Sequence, residues 1–527
     1  MLRLSTAALL AHLTFVSSAW AQDTTRQTPP VIDTVIVVTE NVFGETEAGS
    51  NTLFRIANAL RVKTRARVVR RELLFRAGEP YDSAKVAESA RNLRALRIFR
   101  DVSIDSVRIG GRLAVLVETA DGWSTNLNLS GRFTGGTFTW GVGISEQNFL
   151  GTAALVGASY RKGVDRNAVT LQTRINRLFG SRITASGFYE NLSDGRRGGW
   201  SIGNPFRAFG DRRSLAIVGE RADQRLLRFI TRSSTDQDTV RYQRRAFINR
   251  LDAAMAPVAS TSEYIRVGVS AVVRREEILL QADTGLAIPD TVTATVGVFA
   301  RYRRANFKVV THYNGFAQSE DLDLSSSVQV TAWVAPSGFG YERTGIGPRV
   351  LASTGASLPF GFIRASALAG GLFTSTGLDS GRVVVQVTVG SQFIRRQATF
   401  LHFQGGMIEG VVPGREFDLG HGIGPRTFGP HAFTGDRNAW GTLEHRMFLV
   451  DNFLNLLGVG FAGFLDYGGA WFDGQEPRFG GNVGFGLRTG ATRATGNNLG
   501  RFDVGYRFGE GWTGQRWALS IGQGFTF

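Results

Sequence analysis

Past Trp123 the chain alternates. Phe138, Trp140, Val142 and Ile144 fall at every second position, with Thr139, Gly141, Gly143 and Ser145 between them. Val383, Val385, Val387, Val389 and Phe393 repeat the pattern, as do Phe502, Val504, Tyr506 and Phe508 around Asp503, Gly505 and Arg507. The last run, Trp517, Leu519, Ile521, Gln523, Phe525 and Phe527, reaches the final residue. Successive side chains of a strand point to opposite faces, so each run predicts a strand with one apolar and one polar side. About 20 such segments, each roughly ten residues long and separated by turn residues, follow one another, the signature of a transmembrane antiparallel β-barrel with an apolar side to lipid and a polar interior. A soluble sandwich alternates too, but roughly 400 residues of unbroken pattern exceed the size of one. Closure matters physically, because an open sheet edge leaves unpaired backbone groups in lipid.

Upstream the period changes. Val31 to Thr39 is β-branched and predicts a strand, and Leu53 to Leu60 a short helix. Thr64 is placed to cap a helix running to about Phe75, with Ala66, Val69 and Leu73 at helical spacing. Gly78-Glu79-Pro80 ends it. Asp82 or Ser83 caps a second helix with Val86, Ala90 and Leu93 on one face, and strands follow at Phe99 to Val107 and Leu113 to Val117. The order strand, helix, helix, strand, strand is a small α+β module over residues 31–119. Before it, Arg3, the apolar run Ala7 to Val16 and Ser18-Ala19-Trp20-Ala21 read as an export signal over residues 1–21, cleaved before Gln22. A polar, disordered leader is expected over 22–30. No later stretch reaches the roughly 18 apolar residues of a membrane helix.

Composition narrows the chemistry. The 527 residues include 66 glycines and no cysteine, which excludes a disulfide scaffold, a zinc–cysteine site and a thiol nucleophile. The net charge of +16 is scattered at alternating positions and does not form runs. Anionic lipid headgroups or an arginine-lined channel fit that scatter better than nucleic acid, for which no recognition motif is present. No nucleophile elbow, two-histidine metal helix or phosphate loop is found, so neither an enzyme, a cofactor nor a metal is expected. His421 and His431 share a long loop and read as solvated. Glu444 and Asp466 could suggest acid–base work, but a nearby arginine favours structural pairing.

Several short motifs carry a family resemblance. Arg71-Glu72-Leu73-Leu74-Phe75, Gly78-Glu79-Pro80-Tyr81-Asp82, Arg91-Asn92-Leu93-Arg94 and Phe99-Arg100-Asp101-Val102 resemble a polypeptide-transport-associated (POTRA) domain, although the chain between its first strand and first helix is longer than usual. Gly143 to Gly151, Leu419 to Phe428, Glu444 with Arg446, Phe464-Leu465-Asp466-Tyr467-Gly468, Gly484 to Arg488 and Ser520 to Gln523 resemble, in order, pieces of the bacterial surface antigen family. That family holds the outer-membrane assembly factors and two-partner secretion translocators.

The resemblance implies a barrel of about 16 strands over residues 120–527, preceded by a periplasmic POTRA domain. It implies an inward-folded loop over 411–437, whose Arg426, with Phe428 and Gly429, meets Asp466 or Glu444 in the lumen near Arg446 and Gly468. Pro425 and Thr427 stand where the family usually has valine and glycine. The C-terminal strand, with Gly522, Gly524, Phe525 and Phe527, would form the barrel seam and an assembly signal. The implied partners are unfolded outer-membrane or secreted polypeptides received by strand addition, outer-membrane lipid, and periplasmic chaperones or accessory subunits. Three jobs stay open on the residues alone: assisted insertion, secretion of a dedicated passenger, and a plain porin or receptor.

Overall fold

A computed structural model describes residues 29–42, 52, 55, 62–134, 136–233, 236–280, 291–313, 315, 316, 318–410, 414–454, 456–492 and 499–523. The expected export signal, most of the leader, and all but Arg55 of the short helix expected at Leu53 to Leu60 lie outside them.

The small domain is a three-stranded sheet with two helices. β1 (Ile32–Glu40) pairs parallel with β3 (Arg112–Asp121), and β2 (Phe99–Ile109) pairs antiparallel with it, so β3 is central and β2 lies at an edge. α1 (Ala66–Glu72) and α2 (Ser83–Ala95) pack on the sheet through a core that includes Val69, Phe75, Leu93, Val115 and Val117. Asp82 caps α2 by accepting from the backbone N–H of Ala84 and Lys85. Thr64 does not cap α1. Arg65 takes that position, and Thr64 instead donates its N–H to Asp121 and accepts from Asn148 of the barrel.

Among the described residues twenty strands then form one closed antiparallel barrel, from Thr125–Thr134 round to Trp517–Gln523, which lies beside the first. The family expectation of 16 is therefore corrected. Each alternating segment closes its own place in the ladder, and none merges with a neighbour. The seventh and eighth strands, Arg213–Ser233 and Asp236–Ala259, are the longest among the described residues and pair along nearly their whole length. The outward face carries Leu127, Leu129, Ile144, Val298, Leu401 and Phe485, all at least half-exposed or close to it. A continuous exposed apolar face of this kind is one that lipid covers. No helix among the described residues is long and apolar enough to cross a membrane.

Two insertions enter the barrel. At the end facing the small domain, called the base, a hairpin of Phe307–Val310 with Glu320–Asp323 links the tenth and eleventh strands. Its Tyr313 and Phe316 reach Phe362, Phe400 and Phe448 on the wall, with ring centroids 5.2–5.4 Å apart. From the opposite end, the long loop after the fifteenth strand folds inward and pins a second short hairpin, Phe417–Leu419 with Phe433–Gly435. Phe428 is fully buried there with Phe417, Phe433 and Trp440. Burying a phenylalanine side chain contributes roughly 1.5–3 kcal/mol, so this cluster anchors the loop inside.

The small domain sits against the base. Arg177 of a basal turn donates to Glu72 at 2.6 Å, and the N–H of Phe209 donates to Glu88 at 2.7 Å. Arg94 of α2 grips Asp321 of the basal hairpin.

Candidate functional site

The sixteenth to nineteenth barrel strands, Arg437–Phe453, Leu457–Trp471, Gly480–Ala491 and Leu499–Gly509, build the wall facing the inward loop. Their alternation aims one face of each into the lumen: Thr442, Glu444 and Arg446; then Phe464 and Asp466; then Asn482 and Arg488; then Arg501 and Asp503. All of these polar and charged groups are buried.

Arg426 arrives from the loop with no exposed surface. Its Nε donates to Asp466 Oδ2 at 2.7 Å and its Nη2 to Oδ1 at 2.8 Å, a bidentate fit of planar guanidinium to carboxylate. Its backbone N–H also donates to Oδ2, at 3.1 Å. Nη1 donates to Glu444 Oε2 at 2.6 Å, and Nη2 to Thr442 Oγ1 at 3.1 Å. The guanidinium carbon lies 3.8 Å from the centre of the Phe464 ring. Asp466 is completed by Asn482 Nδ2 at 2.8 Å and by the Thr442 hydroxyl.

The pair sits in a lattice of charge. Glu444 also accepts from Arg446 Nε at 2.6 Å and Arg488 Nη2 at 3.3 Å, while Arg488 Nη1 donates to Asp503 at 2.6 Å. Arg501 approaches Asp503 at 3.7 Å. Four guanidiniums thus enclose three carboxylates, each residue 2 % exposed or less. Desolvating so many charges offsets much of their attraction. The arrangement therefore fixes geometry more than it adds net stability.

The residues singled out in the sequence fall as follows. Arg426, Glu444 and Asp466 meet directly, and Arg446 joins through Glu444. Phe428 lies in the loop's own apolar core, and the Gly429 carbonyl packs against Gly420, whose φ of +120° leaves no room for a side chain. Gly468 faces Trp440 across the ladder, and a Cβ there would lie 2.2 Å from the tryptophan Cβ. Thr427, where the family has glycine, donates its hydroxyl to Asn482 at 3.1 Å, and Arg507 donates to its carbonyl. Gly522 is buried beside Arg501 and Arg132. Gly524, Phe525 and Phe527 lie outside the described residues.

Sequence reasoning missed Thr442, Asn482, Arg488, Arg501 and Asp503 as partners. Their signal was partly present: Asn482 and Arg488 share a face with Gly484 and Gly486, and Arg501 and Asp503 with Gly505, whereas Thr442 has only the parity of Glu444 to mark it. It also missed Tyr313, whose carbonyl accepts from Arg446 Nη1 at 2.9 Å and joins the lattice to the basal hairpin.

No family model matches the chain. Over 140 residues the chain is 29 % identical to the outer membrane protein assembly factor BamA of Neorickettsia risticii, a stretch that is 26 % of this chain and 19 % of that protein. The chain is thus similar to an outer-membrane assembly factor over about a quarter of its own length. The small domain, three strands and two helices, has the helix and strand content of a POTRA domain. The matched stretch spans about a fifth of the curated relative's length. Among solved structures the chain is similar to BamA from Haemophilus ducreyi lacking POTRA domains 1–3, at 10 % identity and a TM-score of 0.38, over 93 % of this chain and 83 % of that one. It is also similar to CdiB from Acinetobacter baumannii, at 11 % identity and a TM-score of 0.43, over 94 % and 74 %. CdiB from Escherichia coli gives 11 % identity and a TM-score of 0.46, over 98 % and 93 %.

Proposed function

We propose that this protein inserts polypeptides into the outer membrane or passes them across it, with the small domain standing in the periplasm as the receiving module. The observation that carries the reading is the loop arginine buried on Asp466 and Glu444 inside a lipid-facing barrel, together with homology to an assembly factor. The β2 edge of the small domain supports client capture. Among the described residues it pairs with β3 on one side only, and an unpaired edge adds an extended segment through backbone hydrogen bonds with little sequence demand. Export by a signal over residues 1–21 belongs to the same reading.

The lock holds the inward loop so that the barrel keeps one shape while its seam works. That seam lies between the first strand and Trp517–Gln523, the shortest barrel strand among the described residues. Gly522 there offers no side chain to pack across it. The chain has no native cysteine, so a disulfide between a cysteine near Arg132 and one at Gly522 forms on a clean background. Loss of function on oxidation, restored by reductant, is expected, and full activity when cross-linked would refute the working seam.

The two jobs separate in one experiment. Depleting the protein and quantifying the outer-membrane proteome should lower a set of barrel proteins if it inserts them. Loss of one secreted product with an unchanged set of barrels would favour passenger secretion. An unchanged proteome and secretome would sink both.

A further inference from the structure

The side of the lumen opposite the lock is open. A cavity of about 1060 Å³ and an adjoining one of about 540 Å³ share Arg274, Arg301, Gln329, Trp333 and Arg349 on their walls. Some of the arginines here are neutralised in place: Arg244 and Arg274 by Glu276, Arg197 by Glu220, and Arg250 by Asp252. Others are not. Among the described residues no carboxylate forms an ion pair with Arg266, Arg301, Arg349 or Arg382.

Their placement is unusual. Arg266 and Arg301 stand directly opposite each other on neighbouring strands, where like charges destabilise a sheet. Arg266 is held by the rings of Phe206 and Tyr264, 3.9 and 3.6 Å away, and by donating to the Ala208 carbonyl. Arg301 donates to the Ser327 hydroxyl at 3.4 Å. Both are therefore oriented by neutral groups and keep their full charge toward the cavity. Arg266 and Arg301 lie near the basal ends of their strands, whereas Arg349 and Arg382 lie near the opposite ends. The positive charge thus forms a tract running the height of the lumen. Between the guanidiniums the wall offers amides and hydroxyls, Gln329, Gln386 and Ser353, beside apolar surface from Trp333, Leu351 and Leu368.

We infer that this tract binds an acidic stretch of an extended polypeptide, carboxylate by carboxylate, as it lies in the lumen. The guanidiniums supply bidentate acceptor sites for carboxylates. The amides and hydroxyls answer a peptide backbone, and the apolar surface answers intervening side chains. A phosphate polymer would leave that apolar surface unused. The inference deepens the reading of the protein as a polypeptide-handling barrel and names the chemistry of what it handles.

The test uses the purified full-length protein in detergent and fluorescently labelled poly-L-glutamate, read by anisotropy. Binding should saturate and weaken steeply with added salt. The double variant Arg301→Gln/Arg349→Gln should bind at least tenfold more weakly, and Arg108→Gln/Arg112→Gln, which removes the same charge from the exposed small domain, should bind as the parent does. Equal weakening in both variants, or no binding by the parent, overturns the inference. So does displacement of the probe by inorganic polyphosphate at a tenfold lower concentration of charge. Should the tract variant fail to fold, the parent alone still decides: poly-L-glutamate must shield Arg301 and Arg349 from phenylglyoxal, as read by mass spectrometry, and unshielded modification overturns it. Because binding is read on isolated protein, its outcome is independent of the depletion experiment.

Discussion

Arg446 Nη1 donates to the backbone carbonyl of Tyr313 across 2.9 Å, while its Nε holds Glu444 at 2.6 Å. One side chain thus belongs to two structures, the lumen lock and the basal hairpin. Arg446→Met should leave Glu444 short of a partner in a dry site. Breaking one half of a buried pair costs about 3–5 kcal/mol. We expect the barrel to lose its heat-resistant compact mobility on gels at a clearly lower temperature than the parent. Replacing Glu444 as well should deepen the loss, because Arg426 and Arg488 then lose the same carboxylate.

The Arg94–Asp321 contact is bidentate, at 2.6 and 2.7 Å, and only partly exposed. Arg94→Ala should free α2 from the base at a cost of roughly 1 kcal/mol after allowance for solvent screening. Hydrogen exchange should rise in residues 83–95 and 307–323 while barrel melting stays put. Arg94→Lys should not restore protection, since a lysine cannot fill both positions of the fork.

The inward loop should respond to pH from both sides. Burial disfavours the charge of His431, but its contacts with Asp165 and Asp418 raise the pKa to about 10. That contribution is complete below the ordinary value of 6.5 and is lost as pH rises through about 10. Burial lowers the pKa of His421 to about 4, and its ring shares a hydrogen bond with Thr139. That contribution is complete above 6.5 and is lost as pH falls through about 4. Limited proteolysis across residues 414–436 should therefore be slowest near pH 6.5 and faster at both extremes. Asp165→Asn should flatten the alkaline arm more than the acid one, since Asp165 bonds His431 directly and acts on His421 only at longer range.

Gly468 and Trp440 face each other with no room between them. Gly468→Ala forces the ladder or the indole to move, and overpacking of this kind costs about 1–3 kcal/mol. A lower unfolding temperature with the Arg426–Asp466 geometry retained is the expected outcome, and Trp440 fluorescence should report the shift.

Much of this architecture was legible in two-residue alternation. The rhythm marked which side of each strand meets lipid, and it put Asp466 on the inner face together with Gly460, Ala462 and Gly468, where the structure has it. The number of strands was better read from the segments themselves than from resemblance, because each turn signal really does end a strand. The neighbours of the lock were harder. Arg488 and Asp503 each look ordinary on their own strand, and only the barrel's stagger brings them to Glu444. The basal hairpin left almost no trace, since strands of four residues are too short to show a period.

That hairpin changes what the small domain can do. A pull on α2 is handed by a guanidinium to Asp321, by stiff hairpin backbone to Tyr313, and by a second guanidinium to Glu444. The small domain and the lock are therefore joined through the floor of the barrel, with an arginine side chain at each end of the connection.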